Sequence, residues 1–201
     1  MKLHYSRNLN PRVAVAVARH LGSPVEFLRT EAFGPNRAAF LGLNPNGLLP
    51  VLEERHQTLW EVDAIALRLS TLAATGFWPS EHAEEVMMWV SWSAHHFTLA
   101  GATFYFERII VPQFMGREPD EKVLATADED FRQFAAVLDR YLDKRSWLVG
   151  GRLSYADFRV ASSLPFADRS GLPLQEFPNI VAWHDRLNQI EAWREPFAGL
   201  A

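Results

Sequence analysis

None of the 201 residues is cysteine. A protein thiol nucleophile, a thiolate metal site and a disulfide framework are therefore excluded. Among the other reactive types, His95 and His96 are adjacent, so they diverge on a helix, and no third metal ligand is suitably spaced. Ser154-Tyr155-Ala156-Asp157 has the S-x-x-D spacing of a capping box, with Leu153 and Phe158 at the hydrophobic-staple positions. That arrangement starts a helix and gives Asp157 no acid–base role. Just ahead of a helix start the chain reads Tyr5-Ser6-Arg7-Asn8. A helix N-terminus offers free amides and a positive dipole end to an anion, and a phenol, hydroxyl or amide can add a hydrogen bond. Each donor also has a plain structural role. Asn8 suits a turn bonded to nearby backbone, Ser6 is an ordinary loop hydroxyl, and Tyr5 reads best as a buried strand residue.

The elements that must position this stretch follow from periodicity and punctuation. Lys2 to Tyr5 alternates polar and apolar residues and predicts a strand. Asn10 as N-cap and Pro11 as the first helical residue open a helix over Val13 to Leu21, which Gly22 ends. The alternation Val13-Ala14-Val15-Ala16-Val17-Ala18 would suit a strand, and the cap and glycine decide for helix. A strand over Val25 to Leu28, a short helix over Asn36 to Leu41, and strands over Leu48 to Leu52 and Thr58 to Trp60 follow. The turn Asn44-Pro45-Asn46-Gly47 precedes the third strand. Glu61 to Ala73 is an amphipathic helix. The order is βαβαββα. Gly76-Phe77-Trp78-Pro79-Ser80 breaks it, and only helices are predicted beyond. These cover Glu81 to about Arg108, Asp120 to Leu142, Ser154 to Leu164 and Asn179 to Ile190. In the second, Val123, Ala127, Phe131, Phe134, Leu138 and Tyr141 form the expected apolar seam. The predicted domains are thus 1–75 (α/β) and 81–201 (all-α), with 76–80 as linker.

Apolar residues make up 48% and charged residues 22%, a globular balance. A net charge of -4 without Lys/Arg runs gives no field favouring nucleic acid or an anionic membrane. The N-terminus lacks a secretory signal pattern, and no segment is apolar for the roughly 20 residues that span a bilayer. Cytoplasm is the expected location.

Three segments carry a family resemblance. They are Asn44-Pro45-Asn46-Gly47-Leu48-Leu49-Pro50-Val51-Leu52, Leu59-Trp60-Glu61-Val62-Asp63-Ala64-Ile65, and Ser154 to Asp157 followed by Phe177-Pro178-Asn179-Ile180-Val181-Ala182-Trp183. In order and spacing they resemble the cis-proline loop, the following helix start and the C-terminal capping box of glutathione S-transferases. The resemblance spans nearly the whole chain. It implies a thioredoxin-like glutathione-binding domain followed by an all-helical one, with glutathione as cosubstrate, no metal, and a homodimer.

The resemblance also implies roles. The donor to the glutathione sulfur falls nearest Asn8, with Ser6 and Tyr5 next. Leu49, ahead of a cis Pro50, offers its main chain to the cysteinyl part. Glu61 and Val62 hold the γ-glutamyl end, by an acidic side chain and helix-start amides. Two residues depart from the family pattern: Val62 stands where serine is usual, and Leu48 where a basic residue is common. Arg7, Arg12 and Arg37 are the nearby cations that could compensate, each with solvated surface charge as its ordinary reading. The pocket wall for the electrophile is expected from Trp92, His96 and Tyr105, together with Trp89, His95 and Phe104; for each, core packing is the ordinary alternative. The implied activity is transfer of glutathione to a small apolar electrophile. The alternatives are a non-catalytic ligand-binding relative, or glutathione-dependent peroxide reduction or isomerisation on the same fold. Thiol-disulfide exchange through a protein cysteine is excluded.

Overall fold

The structure, a computed structural model, describes residues 1–33 and 37–200. The chain divides into two compact units. The first comprises Met1–Trp78 together with the segment from Ile190 onward, and the second Pro79–Gln189.

In the first unit the elements are β1 (Lys2–Tyr5), α1 (Leu9–His20), β2 (Glu26–Arg29), α2 (Arg37–Leu41), β3 (Val51–Glu53), β4 (Thr58–Trp60) and α3 (Val62–Ala73). This is the expected βαβαββα order of a thioredoxin-like unit. The strands form one sheet in the order β2-β1-β3-β4. β1 pairs with β2 in parallel, as an α-helical crossover requires, while β3 and β4 run antiparallel. Register assigns the two faces. Leu3, Leu52 and Leu59 are cross-strand neighbours on one face, and His4, Val51 and Trp60 on the other. Val51 packs with Phe40 of α2 and with Ala32, so α2 covers the second face. His4 ties three strands on that face, reaching Thr30 Oγ1 at 3.0 Å and Glu53 Oε2 at 3.1 Å.

The Val/Ala run of α1 is helical, and Val13 to Ala18 are all buried. A helix enclosed on every side needs no polar face, so its amphipathic period is absent. α1 packs against β1, α3 and α10 (Glu191–Arg194), the last from the C-terminal segment. The helix begins earlier than Asn10 suggested. Asn8 is the N-cap, with φ -86° and ψ 175°. Pro11 thus becomes the third helical residue, where its missing N–H would still lack an intrahelical acceptor. Gly22, at φ 59°, ends the helix as expected. The third strand is shorter than predicted, because Leu48 to Pro50 lie outside it and the Leu49–Pro50 bond is cis. Asn36, the predicted start of the second helix, lies outside the described residues.

The second unit is helical: α4 (Ala83–His95), α5 (Phe97–Tyr105), α6 (Glu121–Leu142), α7 (Tyr155–Val160), α8 (Ala167–Ser170) and α9 (Pro178–Leu187). The long helix expected from Glu81 is interrupted at His96, at φ -132° and ψ -93°. Phe106–Met115 continues as a π-helix. Pro112, which has no N–H to donate, sits in that stretch. In α6 the buried seam is Leu124, Ala127, Phe131, Ala135, Leu138 and Leu142. Val123 is 41% exposed, so the seam is turned by about one residue from the expected one. The capping box forms as read: Asp157 accepts from the Ser154 N–H at 2.9 Å and Ser154 Oγ at 3.1 Å. It also accepts from the Leu148 N–H and the Trp183 indole, both at 3.0 Å, joining α7 to α9.

Candidate active site

Strand register assembles the site of the first unit. His4, near the C-terminal end of β1, pairs with Val51, the first residue of β3, and Val51 pairs with Trp60, the last of β4. The β1–α1 loop with Asn8, the Leu49–Pro50 turn and the Glu61–Val62 helix start therefore all leave the sheet at one end. Three stretches more than 50 residues apart in extreme become neighbours there through pairing alone.

Each stretch presents polar main chain to that end. At α1, the Asn8 carbonyl accepts the Arg12 N–H at 2.9 Å, closing the first turn. The Asn8 side chain is exposed and makes no capping bond. At the turn, neither the N–H nor the C=O of Leu49 has a hydrogen-bond partner among the described residues. At α3, Glu61 is the N-cap in a left-handed-side conformation, φ 70° and ψ 125°. Glu61 is exposed and Val62, 2% exposed, is buried beneath it. The first amides of α3 have no partner within the helix, as at any helix start. An elongated ligand with a carboxylate, an ammonium and an amide matches these groups.

The Leu49 turn is held by a residue whose role the sequence reading left unassigned. Asn44, 2% exposed, donates from Nδ2 to the Leu48 carbonyl at 2.7 Å. Its Oδ1 accepts from the Asn46 N–H at 3.0 Å, and its carbonyl from the Gly47 N–H at 2.9 Å. A buried asparagine opening an N-P-N-G turn is the signal that would have found it. Leu48 is 57% exposed beside it.

The remaining candidates are distributed as follows. Tyr5 is 1% exposed, in edge contact with Phe27 and stacked on Phe197. Ser6 is half-buried and Arg7 exposed. Arg37 donates to the Ala32 carbonyl at 3.3 Å and lies over the Phe33 ring, bracing its own loop. Arg12 is not a surface charge: it is 5% exposed and donates to the Trp193 carbonyl. Burial lowers its pKa to about 10.

In the second unit, Trp92 belongs to an aromatic cluster with Trp89, Phe97, Phe134 and His96. His96, 4.6 Å from the Phe134 ring, lines a cavity of about 510 Å3 with His95, Leu99, Val123 and Thr126. Tyr105 is 7% exposed against Phe166, and burial raises its phenol pKa. Neither Trp92 nor Tyr105 lines that cavity. Among the described residues, no cluster of three or more His, Asp or Glu is placed to hold a metal.

Residues 1–69 match the family model of the glutathione S-transferase N-terminal domain, and residues 96–191 that of the C-terminal domain. Glutathione S-transferase GstB of Escherichia coli strain K12 is 28% identical over 201 residues, 94% of this chain and 93% of that protein. Elongation factor 1-gamma of Danio rerio is 31% identical over 149 residues. That alignment takes in 72% of this chain and 32% of the longer relative. Among solved structures, glutathione transferase F7 from Populus trichocarpa superposes with a TM-score of 0.88 at 20% identity, covering 100% of this chain and 99% of that one. The theta-class glutathione S-transferase from Xanthomonas axonopodis pv. citri, with glutathione bound, gives 0.84 at 25% identity, covering 97% and 95%. With both halves matched in order and the fold superposed along its length, the chain belongs to the glutathione S-transferase family.

Proposed function

We propose that the protein is a glutathione transferase that joins the glutathione sulfur to a small apolar electrophile. The observation that carries this reading is the strand register that brings the Asn8, Leu49 and Glu61–Val62 stretches to one end of the sheet. A free thiol has a pKa of about 8.5, so little is thiolate at neutral pH. Lowering it by about 2 units takes roughly 2.7 kcal/mol of preference for the anion. The Asn8 amide and the N-terminus of α1 supply that preference, the first as a donor that does not itself ionise. The Leu49 main chain aligns the cysteinyl unit, and Glu61 with the first amides of α3 takes the γ-glutamyl end. The thiol proton leaves to solvent. The thiolate forms a bond to the electrophilic carbon as the leaving group departs with its electron pair.

The test is calorimetric titration with glutathione, followed by conjugation assays on Asn8→Ala. Saturable binding is expected at micromolar to low millimolar concentration. Asn8→Ala should lower kcat by about 100-fold, at the lower end of the loss of one donor to a developing anion, without altering folding. Unchanged turnover removes Asn8 from the site.

A second reading is favoured by Val62 and Leu48, which leave a hydroxyl and a cation out of the glutathione contacts. On that reading the fold carries an apolar ligand without catalysis, and the titration shows no glutathione binding. We also infer a homodimer. Exposed apolar side chains on α3 (Leu67, Leu72) and on α4 (Met87, Met88) supply surface for it. Light scattering should give twice the monomer mass.

A further inference from the structure

The segment from Ile190 onward packs with the first unit, and three arginines, Arg7, Arg12 and Arg19, contact it there. Trp193 is fully buried against α1. The Arg12 guanidinium lies 4.6 Å from its ring centroid and donates to its carbonyl. About two helical turns further on, Arg19 Nη1 donates to the carbonyls of Pro196 at 2.9 Å and Ala198 at 2.7 Å. Those two carbonyls flank Phe197, so Arg19 fixes the main chain on both sides of that ring. Phe197 in turn stacks on Tyr5, with centroids 5.7 Å apart and planes at 17°. The Arg7 guanidinium lies over its ring, 5.7 Å from the centroid. Tyr5 ends β1 and Arg7 immediately precedes Asn8.

We propose that Phe197 is a positioning residue for the sulfur-binding loop, held there by Arg12 and Arg19 through the C-terminal segment. The inference rests on the reading of Asn8 as the donor to sulfur. The chain between Tyr5 and Asn8 has two residues, Ser6 and Arg7, and neither is fully buried. It joins β1 at one end to α1 at the other. A ring clamped between Tyr5 and Arg7 removes the freedom of the loop between them. The donor is then in place before ligand arrives, and no ordering cost falls on the reaction. Phe197 is half-buried whereas Trp193 is wholly buried, so Phe197 can be altered without opening the core.

Two measurements on the full chain test this. Backbone amide order parameters from NMR relaxation at residues 6–8 should fall from about 0.85 to about 0.6 or below in Phe197→Ala, with α3 unchanged, as expected when the loop gains freedom. In conjugation assays the same variant should lose about tenfold or more in kcat while KM for glutathione stays within about twofold. The γ-glutamyl and cysteinyl contacts at Glu61 and Leu49 do not involve the strap, hence the split. Phe197→Tyr keeps the ring and should restore both. Arg19→Met, which frees the flanking carbonyls without touching the ring pair, should reproduce the alanine phenotype if Phe197→Ala fails to fold. Unchanged order parameters at residues 6–8, or a loss confined to KM, overturns the proposal. If the unaltered chain binds no glutathione, the catalytic reading falls, and the relaxation measurement still decides whether the strap orders the loop.

Discussion

Val62 buries two methyl groups at the first residue of α3, where on the proposed function a serine hydroxyl would add a donor to the γ-glutamyl carboxylate. Val62→Ser should therefore act in two directions. Glutathione affinity should rise by about 5–10-fold, the effect of one added hydrogen bond of about 1–1.5 kcal/mol. Stability should fall by about 1–2 kcal/mol, because a buried apolar side chain is exchanged for a smaller polar one. Calorimetric titration and urea unfolding read the two separately, and an affinity no different from the parent places the ligand's γ-glutamyl end elsewhere. The family resemblance singled out the polar loop ahead of α1 and the two departures at Leu48 and Val62, while residue types alone offered the ordinary reading of each cation as a surface charge. They misjudged Arg12. Nothing local distinguishes a buried arginine from a solvated one; its burial depends on Trp193, 181 residues away.

Among the elements, α7 and α9 meet on one carboxylate. Asp157 is fully buried and accepts four hydrogen bonds, two of them from main-chain N–H groups and one from the Trp183 indole. Asp157→Ala leaves those donors unpaired and should cost about 3 kcal/mol or more. The charge itself carries a cost. Burial outweighs the donors and raises the carboxyl pKa to about 6, above its ordinary 3.8. The folded state thus holds this proton more tightly than the unfolded state. The cost of ionising Asp157 is absent below about pH 4 and fully present above about pH 6. The parent should accordingly gain stability relative to Asp157→Asn as pH falls from 7 to 4, by about 1–3 kcal/mol. Urea unfolding of both proteins at the two pH values measures this, and a constant difference would refute the assignment. The box was readable from the sequence because cap and N3 residue are three positions apart. The third and fourth partners were not, because Leu148 and Trp183 arrive by packing.

Across the whole molecule, the glutathione contacts proposed here all lie in the first unit, which includes the segment from Ile190 onward. A ligand that binds only the folded state stabilises it by about 1.4 kcal/mol at ten times its Kd. For a chain of this size that is a rise in Tm of about 3–6 °C. In a calorimetric scan with glutathione, the transition containing the first unit should move by that amount. If the two units melt separately, the transition of Pro79–Gln189 should stay in place. No shift at ten times the measured Kd would mean that binding is not linked to the fold of the first unit.

The sequence by itself determined the element order, the turn at Asn44 to Gly47, the helix stop at Gly22, the capping box and the exclusion of protein thiol chemistry. These are set by backbone preferences and hydrogen bonds between residues at most a few positions apart, so they are written locally. Only the tertiary structure decided the rest. Pairing of His4, Val51 and Trp60 brings three distant stretches to one sheet end. Packing turns the α6 seam by a residue, because the partner helices and not the periodicity choose which neighbouring apolar residue is buried. The C-terminal segment joins the first unit because Trp193 is buried against α1 and because Arg12 and Arg19 of α1 donate to the carbonyls of Trp193, Pro196 and Ala198. Those contacts link residues nearly the whole chain apart, and no periodicity in either segment encodes its partner.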